Sequence, residues 1–88
     1  METITLNDGT VLNGSIMPND DDRIIFIFFH NMTIPQGIEL LRDSSKFEKL
    51  ICFSYGNTHE YEGYTKIVSI TSEFGNCNVV MEKSDSNA

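Results

Sequence analysis

The chain has 88 residues, 40% of them hydrophobic, and thirteen acidic against six basic side chains give it a formal net charge of −7. A chain of this length forms one domain that buries roughly 60–65% of the surface its unfolded form exposes, and its apolar blocks exclude a disordered chain. The negative charge opposes direct contact with nucleic acid or an anionic membrane, and it suits a protein partner with a basic surface.

Met1 to Thr5 show neither the basic start nor the apolar stretch of a secretory signal. The longest apolar run, Ile24–Phe29, is six residues, where a membrane helix needs about 20. The expectation is a soluble, cytoplasmic protein. Residues 1–83 read as a single α+β domain and 84–88 as a polar C-terminal tail, with the chain fraying from Lys83 onward.

The first element is a hairpin around Asn7-Asp8-Gly9. A two-residue Asp-Gly turn would scatter the apolar residues over both faces. A three-residue loop with Gly9 left-handed pairs Leu6 with Thr10 and Ile4 with Leu12, which puts Ile4, Leu6, Leu12 and Ile16 on one face. Pro18 to Asp22 is a loop. Ile24–Phe29 does not alternate and reads as a covered strand with apolar side chains on both faces.

Thr33 and Gln36 form a capping box that starts a helix, and Pro35 fits its first turn. Ile34, Ile38 and Leu41 form its apolar stripe with Leu40 beside it; Gly37 weakens it by about 1 kcal/mol. Asp43-Ser44-Ser45 ends the helix, and Phe47 packs back on the core. Strands follow: Lys49–Tyr55, a Gly56-Asn57 turn, Thr58–Glu62, a break or bulge at Gly63, Tyr64–Thr71, a turn at Phe74-Gly75-Asn76, and Cys77–Glu82. The expected fold is α+β: an antiparallel sheet of about six strands, β-β-β-α-β-β-β, with one helix packed on one face. One helix covers only part of a face. Either the sheet curls into a partial barrel, or a partner or a second copy covers the remainder.

Few residues suggest chemistry. Asp20, Asp21 and Asp22 are consecutive and lack the alternating ligands, central glycine and terminal glutamate of a calcium loop. They read as a solvated loop or as an acidic patch for a partner's Lys and Arg. His30, Cys52, His59 and Cys77 are spread singly, without zinc-ligand spacing. Cys52 and Cys77 read as reduced core thiols, with a disulfide open to them if their strands are neighbours. Cys52 and His59 can face each other across a hairpin, but no third group orients them. Glu60 and Glu62 share a strand face, as solubility residues often do. No glycine-rich phosphate loop exists, and neither a cofactor nor an enzymatic activity is expected. Asn31-Met32-Thr33 matches the glycosylation triplet, which carries no meaning without secretion. Tyr55, Tyr61 and Tyr64, with Glu60 and Glu62, form a candidate aromatic and acidic patch.

The run Thr3-Ile4-Thr5-Leu6-Asn7-Asp8-Gly9-Thr10-Val11-Leu12, a following helix and Tyr61-Glu62-Gly63-Tyr64-Thr65 resemble small proteins encoded by phages and prophages of Gram-positive bacteria. That resemblance implies residence in a bacterial host cell. It also implies one of two roles. The first is inhibition of a host defence nuclease, in the manner of anti-CRISPR proteins, by occupying a basic nucleic-acid-binding surface. The second is an accessory role in phage tail assembly through homo-oligomeric or other protein contacts. A basic toxin is a third partner of similar chemistry. The candidate contact residues are Asp20, Asp21, Asp22, Tyr55, Glu60, Tyr61, Glu62 and Tyr64.

Overall fold

The structure is a computed structural model and describes residues 2–84. Its elements are β1 (Thr3–Thr5), β2 (Val11–Pro18), β3 (Ile24–Phe29), α1 (Ile34–Leu41), a 3-10 turn (Ser44–Phe47), β4 (Lys49–Ser54), β5 (Asn57–Glu62), β6 (Lys66–Glu73) and β7 (Asn76–Glu82). All strands pair antiparallel in the order β5-β4-β1-β2-β3-β7-β6. The α+β class is as expected, with seven strands instead of about six. The extra strand arises because Gly63, at φ +84°, breaks the chain instead of bulging it, so β5 and β6 are separate.

The sheet curls. Its two edge strands, β5 and β6, are consecutive in sequence and joined by only Gly63, Tyr64 and Thr65. Seven flat strands would hold those edges about 29 Å apart, whereas so short a link reaches at most about 15 Å. Strand β2 makes the bend. Its first part, Val11–Asn13, pairs with β1, and its second part, Gly14–Pro18, pairs with β3. At the changeover a Cβ on Gly14 would lie 2.2 Å from the Phe28 carbonyl oxygen, so only glycine fits there. The curl is that of the expected partial barrel.

The concave side holds the core. Ile4, Leu6 and Ile16 from the first hairpin, Ile25, Ile27 and Phe29 from β3, Leu50 and Cys52 from β4, and Cys77, Val79 and Met81 from β7 are buried together. The bulged hairpin has the expected register: Ile4 opposes Leu12, the Leu6 amide donates to the Thr10 carbonyl, and Gly9 has φ +92°. Leu12 is only half-buried. Strand β3 departs from the doubly covered reading. Ile25, Ile27 and Phe29 are buried, while Ile24, Phe26 and Phe28 on the convex side are only partly buried.

Helix α1 and the 3-10 turn close the concave side. Thr33 and Gln36 make both hydrogen bonds of the capping box. The buried stripe, however, runs through Gly37 and Leu41, and Ile38 is 49% exposed. The displacement has a packing cause. A Cβ on Gly37 would sit 2.6 Å from Cys77 Sγ, so the glycine lets the helix backbone lie directly on β7. Phe47 is fully buried, as expected.

Two turns differ by one residue from the expected positions. Ser54 opposes Asn57, and Glu73 opposes Asn76. The two-residue loops are therefore Tyr55-Gly56 and Phe74-Gly75, with all four residues at positive φ. The C-terminal segment also differs from the frayed reading at its start. The Lys83 amide donates to Arg23 (2.7 Å) and the Ser84 amide to Gly63 (2.8 Å). The expected tail beyond Ser84 lies outside the described residues.

Candidate protein-binding site

Three segments meet at one end of the barrel: the β2–β3 loop, the β5–β6 link and the end of β7. Tyr64 ties them together. The break at Gly63 turns the chain inward, so the Tyr64 ring is 8% exposed and its hydroxyl donates to the backbone carbonyl of Asp22. Tyr61 packs edge-on against it, with ring centroids 6.2 Å apart at 72°. Lys83 Nζ lies 5.8 Å from the centre of the Tyr64 ring. Glu60, Tyr61, Glu62, Tyr64 and Lys83 line a shared open cleft.

The β2–β3 loop owes its shape to its aspartates. Asp21 Oδ1 accepts from the Arg23 amide at 3.0 Å, and the Ile24 amide donates to the Asp21 carbonyl at 3.1 Å. Arg23 then extends a guanidinium nitrogen 3.3 Å to the Lys83 carbonyl, fastening the loop to β7.

The electrostatics of this end are lopsided. Burial, reinforced by the carboxylates of Asp22 and Asp21, holds the Tyr64 phenol above its ordinary value. Tyr61 is raised as well, first by burial and then by Cys52 and Tyr64. Lys49 lies 3.2 Å from Glu60, and Lys66 lies 3.3 Å from Glu82. Among the described residues, Asp20, Asp21, Asp22 and Glu62 form no ion pair.

The expected contact residues divide unequally. Asp21 and Asp22 stand beside Tyr64, Asp20 lies in the same loop, and Glu60, Tyr61 and Glu62 line the cleft next to it. Tyr55 is not with them. It sits at the opposite tip of the β4–β5 hairpin, six residues and about 20 Å along the strands from Glu62, and is 82% exposed. The gathering of acidic residues is also partial. Asp8, Glu39, Asp43 and Glu73 lie in the first hairpin, the helix, the turn after it and the β6–β7 hairpin. Lys83 and Arg23 are parts of the site that the sequence did not mark. Their role comes from hydrogen bonds across 60 positions of chain, which no local pattern reveals.

The other chemical candidates are placed as follows. Cys52 and His59 are directly opposed on β4 and β5, with Cys52 buried and His59 exposed. Both cysteines are free and buried, and β4 and β7 are not neighbours in the sheet. Burial raises the Cys77 thiol, which makes it a poor nucleophile. Among the described residues no three His, Cys, Asp or Glu side chains gather as metal ligands, and no helix is long and apolar enough to cross a membrane. No family model, curated protein or solved structure matches this chain.

Proposed function

We propose that the protein is a non-enzymatic binding module whose acidic, tyrosine-lined end docks on a basic protein surface of the kind that holds nucleic acid. The observation that carries this reading is the hydrogen bond from Tyr64 to Asp22. It holds a loop of three aspartates against the cleft that contains Glu60, Tyr61 and Glu62. Gathering like charges disfavours the folded state, and a cationic partner relieves that repulsion. Tyr61, partly exposed beside unpaired carboxylates, suits arginine in particular, since guanidinium stacks on an aromatic face and forks onto a carboxylate.

With the resemblance to small phage proteins, a host defence nuclease of the CRISPR type is the first partner to test. The chain would act by occupying the basic channel that otherwise holds nucleic acid. The phage-assembly role fits the partly buried convex face of β3 and remains the second reading, with Phe26 and Phe28 as its contacts.

The test is a pull-down with tagged protein from a bacterial lysate containing CRISPR effector complexes, at low and moderate salt, followed by titration of the captured effector. Under this reading the effector is captured, loses nucleic-acid cleavage, and is released as salt rises. Asp20→Asn, Asp21→Asn and Asp22→Asn together weaken binding and flatten its salt dependence. Capture of phage structural proteins alone, or an affinity indifferent to the triple substitution, overturns it.

A further inference from the structure

We propose that strand β6 is a self-complementary edge through which two copies of this chain pair across a two-fold axis. The sheet ends at β6, which among the described residues pairs with β7 alone. The two edges of the sheet are built differently. Strand β5 carries Glu60 and Glu62 along its length, the kind of charge that discourages edge pairing. Between Lys66 and Glu73, β6 has only Ile67-Val68-Ser69-Ile70-Thr71-Ser72, uncharged and rich in β-branched residues.

The bulge in β6 is the decisive feature. Ile67 opposes Met81 and Ser69 opposes Val80, so Val68 is an extra residue. In a regular eight-residue strand the first and last side chains lie on opposite faces. The bulge removes that mismatch and puts Lys66 and Glu73 on the same convex face, opposite Glu82 and Asn76. Antiparallel pairing with a second β6 then has a register in which all faces agree and the two charged ends oppose each other. Lys66 opposes Glu73 of the second copy, Ile67 opposes Ser72, Val68 and Ser69 together oppose Thr71, and Ile70 meets itself on the axis. Lys66, already 3.3 Å from Glu82 of its own chain, then also faces Glu73 of the second copy, once at each end of the ladder.

The concave side of the same edge adds apolar surface. Ile38 and Leu41 of α1, Arg42 just after it, and Ile67 and Ile70 of β6 line a groove of about 260 Å³. Ile38 is 49% exposed and Ile67 44% exposed. Placing Ile70 on the axis sets the grooves of the two copies side by side, so the isoleucines cover one another. The net charge of −7 per copy opposes this association at a distance. At physiological ionic strength that repulsion is screened beyond about 8 Å, while the opposed Lys66 and Glu73 remain in contact. The Lys66 end of this ladder starts two residues after Tyr64, beside the acidic cleft, whereas Glu73 lies at the far end of β6, so Glu73→Lys tests the dimer apart from that cleft.

Sedimentation velocity from dilute to high-micromolar protein at physiological salt is the test. The expected result is a monomer–dimer equilibrium in which Lys66→Glu and Glu73→Lys each raise the dissociation constant about tenfold. The double variant Lys66→Glu/Glu73→Lys recovers most of that loss. Hydrogen exchange on the unaltered chain gives a second reading: the β6 amides exchange more slowly at dimer-forming concentration than in dilute solution. A chain that is monomeric throughout, a dimer that neither reversal weakens, a double variant no better than the single ones, or β6 exchange that ignores concentration overturns the proposal.

Discussion

Tyr64 and Asp22 are 42 positions apart in the chain, and the phenolic hydroxyl of the first donates to the backbone carbonyl of the second. The bond joins the link between the two edge strands to the loop that starts β3, closing the barrel at the end where the aspartates stand. The same side chain thus fastens the fold and gathers the candidate binding residues.

Tyr64→Phe removes the donor and leaves the ring in place. The expected loss is about 1 kcal/mol, the usual net contribution of one hydrogen bond, with an unchanged denaturant slope in urea melts. Tyr64→Ala also strips a buried ring from the core and costs about 3–5 kcal/mol. If the two substitutions cost the same, the hydroxyl rather than the ring holds this end together.

Gly37 tests how the helix is seated. Alanine normally favours a helix over glycine by about 1 kcal/mol. Here the added methyl meets Cys77 Sγ at 2.6 Å and Ile70 Cδ1 at 3.0 Å, and overpacking of that kind costs about 1–3 kcal/mol. Gly37→Ala is expected to destabilise the protein. Adding Cys77→Ala removes the sulfur that the methyl strikes, so a double-mutant cycle in chemical denaturation shows favourable coupling between the two sites. Additive losses would mean that helix and strand do not touch at this point.

What the sequence made legible, and what it hid, follows from how local each cause is. The bulged hairpin was readable because one register alone buries Ile4, Leu6 and Ile16 together. The capping box was readable because Thr33 and Gln36 act within one turn. The helix face was misread because Gly37 looks like a weak helix residue until β7 is placed beneath it. Lys83 looked like the start of a tail, although its amide belongs to Arg23 on a loop far back in the sequence. Of the candidate site, the acidic and aromatic residue types were visible. Their convergence depended on the curl of the sheet, and the same curl sends Tyr55 to the other end.

The tips of the two long hairpins carry aromatic residues in a left-handed conformation: Tyr55 at φ +49° and Phe74 at φ +53°. Side chains of this bulk rarely adopt that region, while asparagine does so at low cost. Both residues are almost wholly exposed, at 82% and 94%, so little packing is lost on replacement. Tyr55→Asn and Phe74→Asn should each stabilise the chain by about 1 kcal/mol, measured by thermal or urea denaturation. A loss of stability at either site would show that the aromatic ring makes a contact that outweighs the backbone strain.

The alkaline limb of stability tests the electrostatic unit around Tyr64. Burial raises the phenols of Tyr64 and Tyr61 above the unfolded value of 10.0, and Asp22 and Asp21 add to the shift at Tyr64. The folded chain therefore binds these protons more tightly than the unfolded chain does. The contribution is fully present below pH 10 and is lost as pH rises through the folded-state values. Tyrosinate absorbance should show two groups titrating above the ordinary tyrosine value. Asp21→Asn with Asp22→Asn removes the carboxylates but not the burial, so one of the two late titrations moves down without reaching the ordinary value. Tyr64→Phe identifies which one by deleting it. An unchanged curve in the aspartate variant would mean that the loop carboxylates do not reach the ring, and the acidic end would then lose its standing as a single electrostatic unit.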